Sequence, residues 1–325
     1  MVSNVKKIEL GKTGLMVSKL CYGTLAIGPY HSNLSVDAGA ELLVEAYRNG
    51  INFWDTAELY ETYPHILEAL KRLGFPEDLV IASRSYARTY EEMNEAIDKT
   101  LRGLNLSSIP VFGLHEMDGR KDFEESEGAF EALKEAKESG TIKNIAITMH
   151  SVESVYVAGN EDFVDIVFPL YNKRGLGIKH GNADDMSEAI KYAYDKGKGI
   201  YAMKVLAGGH LVSDAEESIM YVLNNNTVHS IAIGMDNLDE LYMNLALFNS
   251  EDEEVKTYKQ RVKQYKRSIQ VDPWCEGCGE CIKICPNNAI TLEFSQAKID
   301  HTKCILCGYC ASACKYFCLK VVNTL

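Results

Sequence analysis

Cysteine is almost absent from the first 274 residues of this 325-residue chain, which hold only Cys21 of the ten present. That scarcity excludes a disulfide-stapled secreted scaffold and leaves most of the chain to fold on its apolar core. Positive charge is short as well, with 34 Lys and Arg against 46 Asp and Glu and a net charge of −12. Such a surface offers no basic stripe, so no nucleic acid partner is expected. No apolar run nears the length of a bilayer span, no secretory h-region stands out, and there is no low-complexity tract. The expectation is a cytoplasmic protein that does not enter a membrane, with Cys21 as a buried structural thiol.

What is present in the first 250 residues is an alternation of short β-branched or aromatic runs with helical patterns. Strands are predicted over 19–22, 51–54, 79–83, 109–114, 144–148, 164–169, 199–203 and 229–233. Helices fall between them, among them 35–49, capped by Ser35 and stopped by Gly50, and 90–104. Eight such units predict an α/β fold, a (β/α)8 TIM barrel over residues 1–250. Leu10-Gly11-Lys12-Thr13-Gly14, with apolar residues on both sides, predicts a hairpin that closes the bottom of the barrel. Residues 251–269 are expected to form a linking helix, acidic over 251–254 and basic toward Arg267. Its apolar stripe would be Val255, Tyr258, Val262, Tyr265 and Ile269.

The other cysteines lie in the tail. Residues 270–325 carry Cys275-x2-Cys278-x2-Cys281-x3-Cys285-Pro286 and, 29 positions later, Cys304-x2-Cys307-x2-Cys310-x3-Cys314. This is the ligand spacing of two [4Fe-4S] clusters. Cysteines at every third residue of a turn aim at one point, and the fourth, a longer step away, points toward the neighbouring site. Zinc ribbons also use Cys-x2-Cys knuckles, yet two identical four-cysteine runs fit neither zinc nor a disulfide framework well. The tail resembles a bacterial two-cluster ferredoxin, a small α+β iron-sulfur domain, over about residues 270–322. By that resemblance Cys275, Cys278, Cys281 and Cys314 hold one cluster, and Cys304, Cys307, Cys310 and Cys285 the other. The second copy has Lys315 where the first has Pro286, which is not a ligand. Cys318 overlies Ala289 of the first copy and is expected in the core.

In TIM barrels, polar residues at the C-terminal ends of the strands carry the chemistry. Here those ends read Asp55-Thr56-Ala57-Glu58-Leu59-Tyr60, Ser83-Arg84-Ser85 and Leu114-His115-Glu116. Together with Gly11-Lys12-Thr13-Gly14, Gly23-Thr24 and the run from Lys204 to Gly209, they resemble the aldo/keto reductase family over about residues 5–250. The resemblance implies that Tyr60 is the general acid toward a small-molecule carbonyl substrate. Asp55 and His115 would tune and orient it, and Arg84 stands where the family has a lysine. A guanidinium stabilises a phenolate but cannot shuttle a proton. The resemblance also implies cofactor contacts at Thr148, Gly234 and Asn244. Tyr171 and Asn172 are candidates for a ring-stacking wall or barrel rim, and Lys204 for an anion contact or a salt bridge. Met149 stands for the family's asparagine, and Glu240 for the basic residue that grips a 2′-phosphate, so NADH is favoured over NADPH. No flavin fingerprint is present, although barrels can hold a flavin phosphate at the last two loops and flavin stays open. His31, His65, His180 and His210 lack partners at ligand spacing and are expected in loops or at the surface.

The expected protein is an iron-sulfur oxidoreductase of aldo/keto reductase type, acting on a small carbonyl or enone with electrons from two [4Fe-4S] clusters, a nicotinamide cofactor (NAD(P)), or both. A one-electron donor or acceptor protein is the expected macromolecular partner. Hydride brings two electrons at once and each cluster takes one, so joining them needs a splitting centre or a radical-tolerant substrate. The alternative is a catalytically degenerate barrel that serves as an electron-transfer or redox-sensing partner.

Overall fold

The computed structural model describes residues 5–262, 266–314, 316 and 318–324. Tyr265 and Lys315 lie outside them. Strands β1 (Lys7–Glu9) and β2 (Met16–Ser18) form the expected antiparallel hairpin. The barrel strands are β3 (Leu20–Gly23), β4 (Phe53–Asp55), β5 (Val80–Ser85), β6 (Ile109–Leu114), β7 (Ile142–Met149), β8 (Ile166–Pro169), β9 (Gly199–Ala202) and β10 (Ser230–Ile233). They are parallel, and β10 returns to β3 with Ile231 opposite Leu20, closing the barrel. All eight coincide with the predicted runs to within a few residues. Parallel strands covered by helices are buried on both faces, so their apolar runs are nearly continuous and easy to find.

The helices begin where their capping chemistry dictates. Ser35 Oγ accepts the amide of Ala38 at 3.2 Å ahead of helix Val36–Arg48. Thr89 and Glu92 form a reciprocal capping box at helix Tyr90–Leu104. Each helix packs its apolar face on the strands, and a second core fills the barrel itself.

Both ends of that inner core are stoppered from outside the strands. At the bottom, the hairpin inserts the fully buried Leu10 into this core, against Gly199 at the start of β9. Its Gly11, at φ +61°, lies so close to β9 that an added Cβ would sit 2.3 Å from the Gly199 nitrogen. At the top the stopper is Ile305, from the cysteine-rich tail.

The tail is a small α+β unit. β11 (Lys266–Val271) pairs antiparallel with β14 (Leu319–Thr324), and β12 (Ile290–Glu293) with β13 (Gln296–Ile299). Short helices, Glu280–Lys283 and Tyr309–Ser312, follow the two cysteine loops. Cys318 is buried in this unit's core and Cys21 in the barrel's, as expected. The linking helix is shorter than predicted: it spans Asp252–Arg261, and Arg267 and Ile269 belong to β11 instead. Ile269 faces Val321 across that ladder and is buried with Cys281 and Ile290, so strand pairing and the tail's core outweigh the three-and-four spacing of the apolar residues.

The tail docks on the C-terminal mouth of the barrel through its second cysteine loop. His210 Nε2 bonds the Cys304 carbonyl, and His31 Nε2 lies 3.4 Å from the Cys307 carbonyl. Arg267 Nη2 reaches Asp236 Oδ2 at 3.3 Å. His31 and His210 lie in loops, as expected, and there contact the tail, whereas His65 is buried within helix Tyr63–Leu73 with Nε2 3.0 Å from the Leu34 carbonyl. Gly208, at φ +68°, permits the closest approach: a Cβ there would fall 1.6 Å from the Ile305 carbonyl oxygen. Gly208→Ala should therefore push the tail off the barrel. Limited trypsin digestion should cut faster around Lys259 and Arg261, while the circular dichroism of the barrel stays unchanged.

Candidate functional site

Tyr60 is placed by a single 3-10 turn, Glu58–Tyr60, that folds back over the mouth after β4. A buried chain of hydroxyls fixes that loop: Thr24 Oγ1 and Thr56 Oγ1 lie 2.9 and 2.8 Å from Thr62 Oγ1. Asp55, Tyr60, Arg84 and His115 are all buried and converge at the mouth. Arg84 is the hub. Its Nη1 donates to Asp55 Oδ1 at 2.6 Å and to the Thr56 carbonyl at 2.8 Å, and its Nη2 donates to Asp55 Oδ2 at 3.1 Å and Tyr60 Oη at 2.7 Å. Tyr201 Oη donates a further bond to Asp55 Oδ1 at 3.0 Å. The guanidinium also lies 5.1 Å from the Phe168 ring centroid, and its Nε has no partner.

Burial dominates the electrostatics of this cluster. It raises the Asp55 carboxyl above its ordinary value, and Arg84 opposes the rise. Burial likewise raises the Tyr60 phenol; Arg84 pulls it down, Asp55 pushes it up, and a hydrogen bond from Tyr309 favours the phenolate. His115 is held well below its ordinary value by burial and then by Arg84, so its imidazole is neutral. Arg84 is shared between a carboxylate and a phenol, and Tyr60 keeps its proton at rest.

Tyr309, in the second cysteine loop, is the member that the sequence reading missed. Its hydroxyl lies 3.1 Å from His115 Nε2, and its buried ring packs on Tyr60 and Ala57. Lys204, at φ +56°, holds Nζ 5.4 Å from the Tyr309 ring centroid and 3.1 Å from His150 Nε2. His150 Nδ1 lies 3.3 Å from Glu116 Oε1, and Tyr86 Oη donates to Glu116 Oε2 at 2.6 Å while its ring stacks on His115. A signal for Tyr309 exists in the repeat itself. At the 29-residue offset, Glu276, Gly277 and Glu280 of the first loop become Ile305, Leu306 and Tyr309 in the second, an exchange of polar or bare positions for apolar bulk.

Beside this cluster lies a cavity of about 250 Å³. Asp55, Tyr60, Arg84 and Phe168 line its inner end, and Glu240, Asn244 and the exposed Lys259 its outer end. Ile305, Leu306 and Cys307 lie over it. Gly234 and Asn244, expected as cofactor contacts, and Lys204, expected as an anion contact or a salt bridge, line it. Thr148, Tyr171 and Asn172 do not. Thr148 Oγ1 accepts the Glu116 amide at 2.9 Å, Tyr171 Oη meets Tyr221 Oη at 3.2 Å, and the Asn172 amide staples its own loop through Arg174 and Leu176. At the outer end Glu240 sits by Asp236; burial and that neighbour raise its carboxyl to about 7.

The cysteines ring two further cavities. Cys275, Cys278, Cys281 and Cys314 line one; Cys285, Cys304, Cys307 and Cys310 line the other. Among the described residues no three His, Cys, Asp or Glu side chains converge as needed for a single metal ion. Four thiols around a cavity suit a cluster instead, and backbone amides already point at three of the sulfurs: Ala297 N to Cys275 at 3.4 Å, Cys318 N to Cys314 at 3.2 Å and Ala289 N to Cys285 at 3.3 Å. The tight loops need left-handed backbone at matching places, Gly277 and Gly279 in the first and Leu306 and Gly308 in the second.

Comparison with known proteins agrees with this architecture. The aldo/keto reductase family model matches residues 19–219, and a 4Fe-4S dicluster domain matches residues 274–320. The chain belongs to the aldo/keto reductase family and carries an iron-sulfur dicluster domain; it is an oxidoreductase. It is 26% identical over 211 residues to the protein named Probable aldo-keto reductase 1 of Glycine max, covering 54% of this chain and 58% of that one. It is 25% identical over 287 residues to the L-galactose dehydrogenase of Arabidopsis thaliana, covering 74% of this chain and 88% of that one. The solved aldo-keto reductase AKR11C1 of Bacillus halodurans shares the fold, with a TM-score of 0.62 at 20% identity over 80% of this chain and 97% of that one. Among the described residues, no helix is long and apolar enough to cross a membrane.

The buried pair gives a direct test. Arg84→Met leaves Asp55 without its cation and should cost about 3–5 kcal/mol, whereas Arg84→Lys keeps the charge and should cost less. Burial raises the folded-state value of Asp55, so the loss in Arg84→Met should shrink as pH falls and grow as it rises. Anaerobic urea unfolding across pH measures both.

Proposed function

We propose that the protein reduces or oxidises a small carbonyl or enone compound in the cavity at the barrel mouth, with electrons relayed through the two cluster sites. One observation carries this reading: Cys307, a ligand of the second site by its spacing, lines the same cavity as Tyr60 and Arg84. A molecule bound there touches the residue that gives the proton and the thiol nearest the electrons.

When bound, the two clusters supply electrons one at a time, two in all. Reducing a carbonyl to an alcohol takes those two electrons and two protons. Tyr60 gives the proton that goes to oxygen, and the phenolate it leaves is held by Arg84 Nη2 at 2.7 Å. Asp55 keeps the guanidinium in place, and the neutral His115 adds no competing charge. The second proton comes from water entering at the Lys259 end. A basis for nicotinamide binding also exists, since Gly234 and Asn244 line the cavity, and the acidic pair Asp236 and Glu240 supports NADH over NADPH.

Protein reduced with dithionite, then freed of reductant, should regain its visible colour on mixing with 2-cyclohexenone. Tyr60→Phe should slow that reoxidation about a hundredfold or more with the reduced-cluster EPR signal intact. An unslowed rate would remove Tyr60 as the acid and favour the degenerate, electron-carrying barrel. For the nucleotide, Glu240 is neutral below about 7 and charged above it. NADH binding, followed by fluorescence, should therefore weaken as pH rises through that value, and Glu240→Gln should abolish the difference.

A further inference from the structure

Tyr60 and His115 are two hydrogen-bonding groups facing one point at the mouth, the arrangement that would receive a substrate oxygen. That point is filled by the chain itself. The Tyr309 hydroxyl lies 3.1 Å from His115 Nε2, and its ring is buried against Tyr60 and Ala57. It is not a loose side chain that has fallen inward. Gly308 before it is left-handed at φ +79° and lies against the Tyr30 carbonyl and the His31 ring, Cys310 after it is a buried cluster ligand, and Ile305 is locked into the barrel core. The open space begins on the other side of Tyr60: the cavity is lined by Tyr60, Arg84, Lys204 and Cys307, and neither His115 nor Tyr309 borders it.

We propose that Tyr309 is the specificity-determining residue of the barrel: its phenol fills the oxygen site between Tyr60 and His115 and so directs substrate into the adjoining cavity, against Arg84, Lys204 and Cys307. The inference deepens the function proposed above and rests on the same site. Compounds that need His115 as a hydrogen-bond partner are shut out, and those admitted lie within contact of a cluster ligand. The first loop has Glu280 at the equivalent position, so this plug belongs to the second loop alone.

The test is calorimetric binding to anaerobic, cluster-loaded protein. Its probes are p-cresol, which reproduces the missing side chain, and acetophenone, which offers a ring with a carbonyl oxygen. Tyr309→Ala should bind both at least tenfold more tightly than wild type, with the visible and EPR signatures of both clusters retained. Tyr309→Phe keeps the ring and should exclude them as wild type does. Tyr309→Leu, a shorter apolar residue, should admit acetophenone and serves if the alanine variant loses its clusters. Equal affinity in wild type and in either shortened variant would overturn the proposal, because the phenol would then be yielding its place freely. Binding needs no electron delivery, so failure of the relay and failure of the plug are read separately.

Discussion

The close approach of the second cysteine loop to the barrel mouth is the constraint on which the rest of the molecule turns. It requires a bare Cα at Gly208, where the Ile305 carbonyl passes, and it seats Ile305, Leu306 and Tyr309 in buried positions. Burying apolar side chains of this size is worth about 1.5–3 kcal/mol each. Contacts between domains of one chain are by default mobile and polar. This one completes the inner core of the barrel, roofs its cavity and sets a cluster-site thiol on the cavity wall. Fusion in one chain keeps the two partners at high effective concentration, so modest contact energy suffices.

Within the mouth, the Arg84–Asp55 pair decides the charge state of everything near it. A lone buried guanidinium or carboxylate would be costly, and the bidentate geometry with the added bonds from Tyr201 and to Thr56 offsets that cost. Because the pair is close to neutral as a unit, burial prevails on its neighbours: Tyr60 is raised and His115 is lowered, and both rest uncharged. On the function proposed, such a site would hold its proton until negative charge develops on a substrate oxygen, with Arg84 already in position to stabilise the phenolate. A lysine in that place would be a smaller and more readily deprotonated group.

The sequence made the architecture legible because its signals are local. Each barrel strand is an apolar run bounded by helix caps, and the eight cysteines announce their sites by spacing alone. Asp55, Tyr60, Arg84 and His115 were findable because strand ends in a barrel point to one place. The direction of a side chain at the rim was less legible: Thr148, Tyr171 and Asn172 sit at the right strand ends yet turn to Glu116, Tyr221 and their own loop. The strand over Lys266–Val271 was hidden because its partner, Leu319–Thr324, lies some fifty residues away and a three-and-four spacing imitates a helix. Tyr309, His31 and His210 were hidden for the same reason, since their roles exist only once the tail is docked. The repeat did mark the place, where Ile305, Leu306 and Tyr309 stand against Glu276, Gly277 and Glu280.

The two cluster sites, alike in spacing, differ in their surroundings. At the first, Cys278 is exposed and Trp274 and Phe294 stand 57% and 100% exposed nearby; at the second, none of the four cysteines is exposed and Cys307 faces the cavity. On the relay reading, this polarity makes the first site the outward contact and the second the inward one, with Cys285 and Cys314 interleaving the pair. Two electrons delivered singly to one molecule impose a further condition: the molecule must stay in place between transfers. On the same reading the cavity would meet it: Leu306 and Cys307 line the wall beside Tyr60 and Arg84, and Tyr309 fills the way toward His115, so a half-reduced compound would be held where its new charge is best stabilised, with the solvent end toward Lys259.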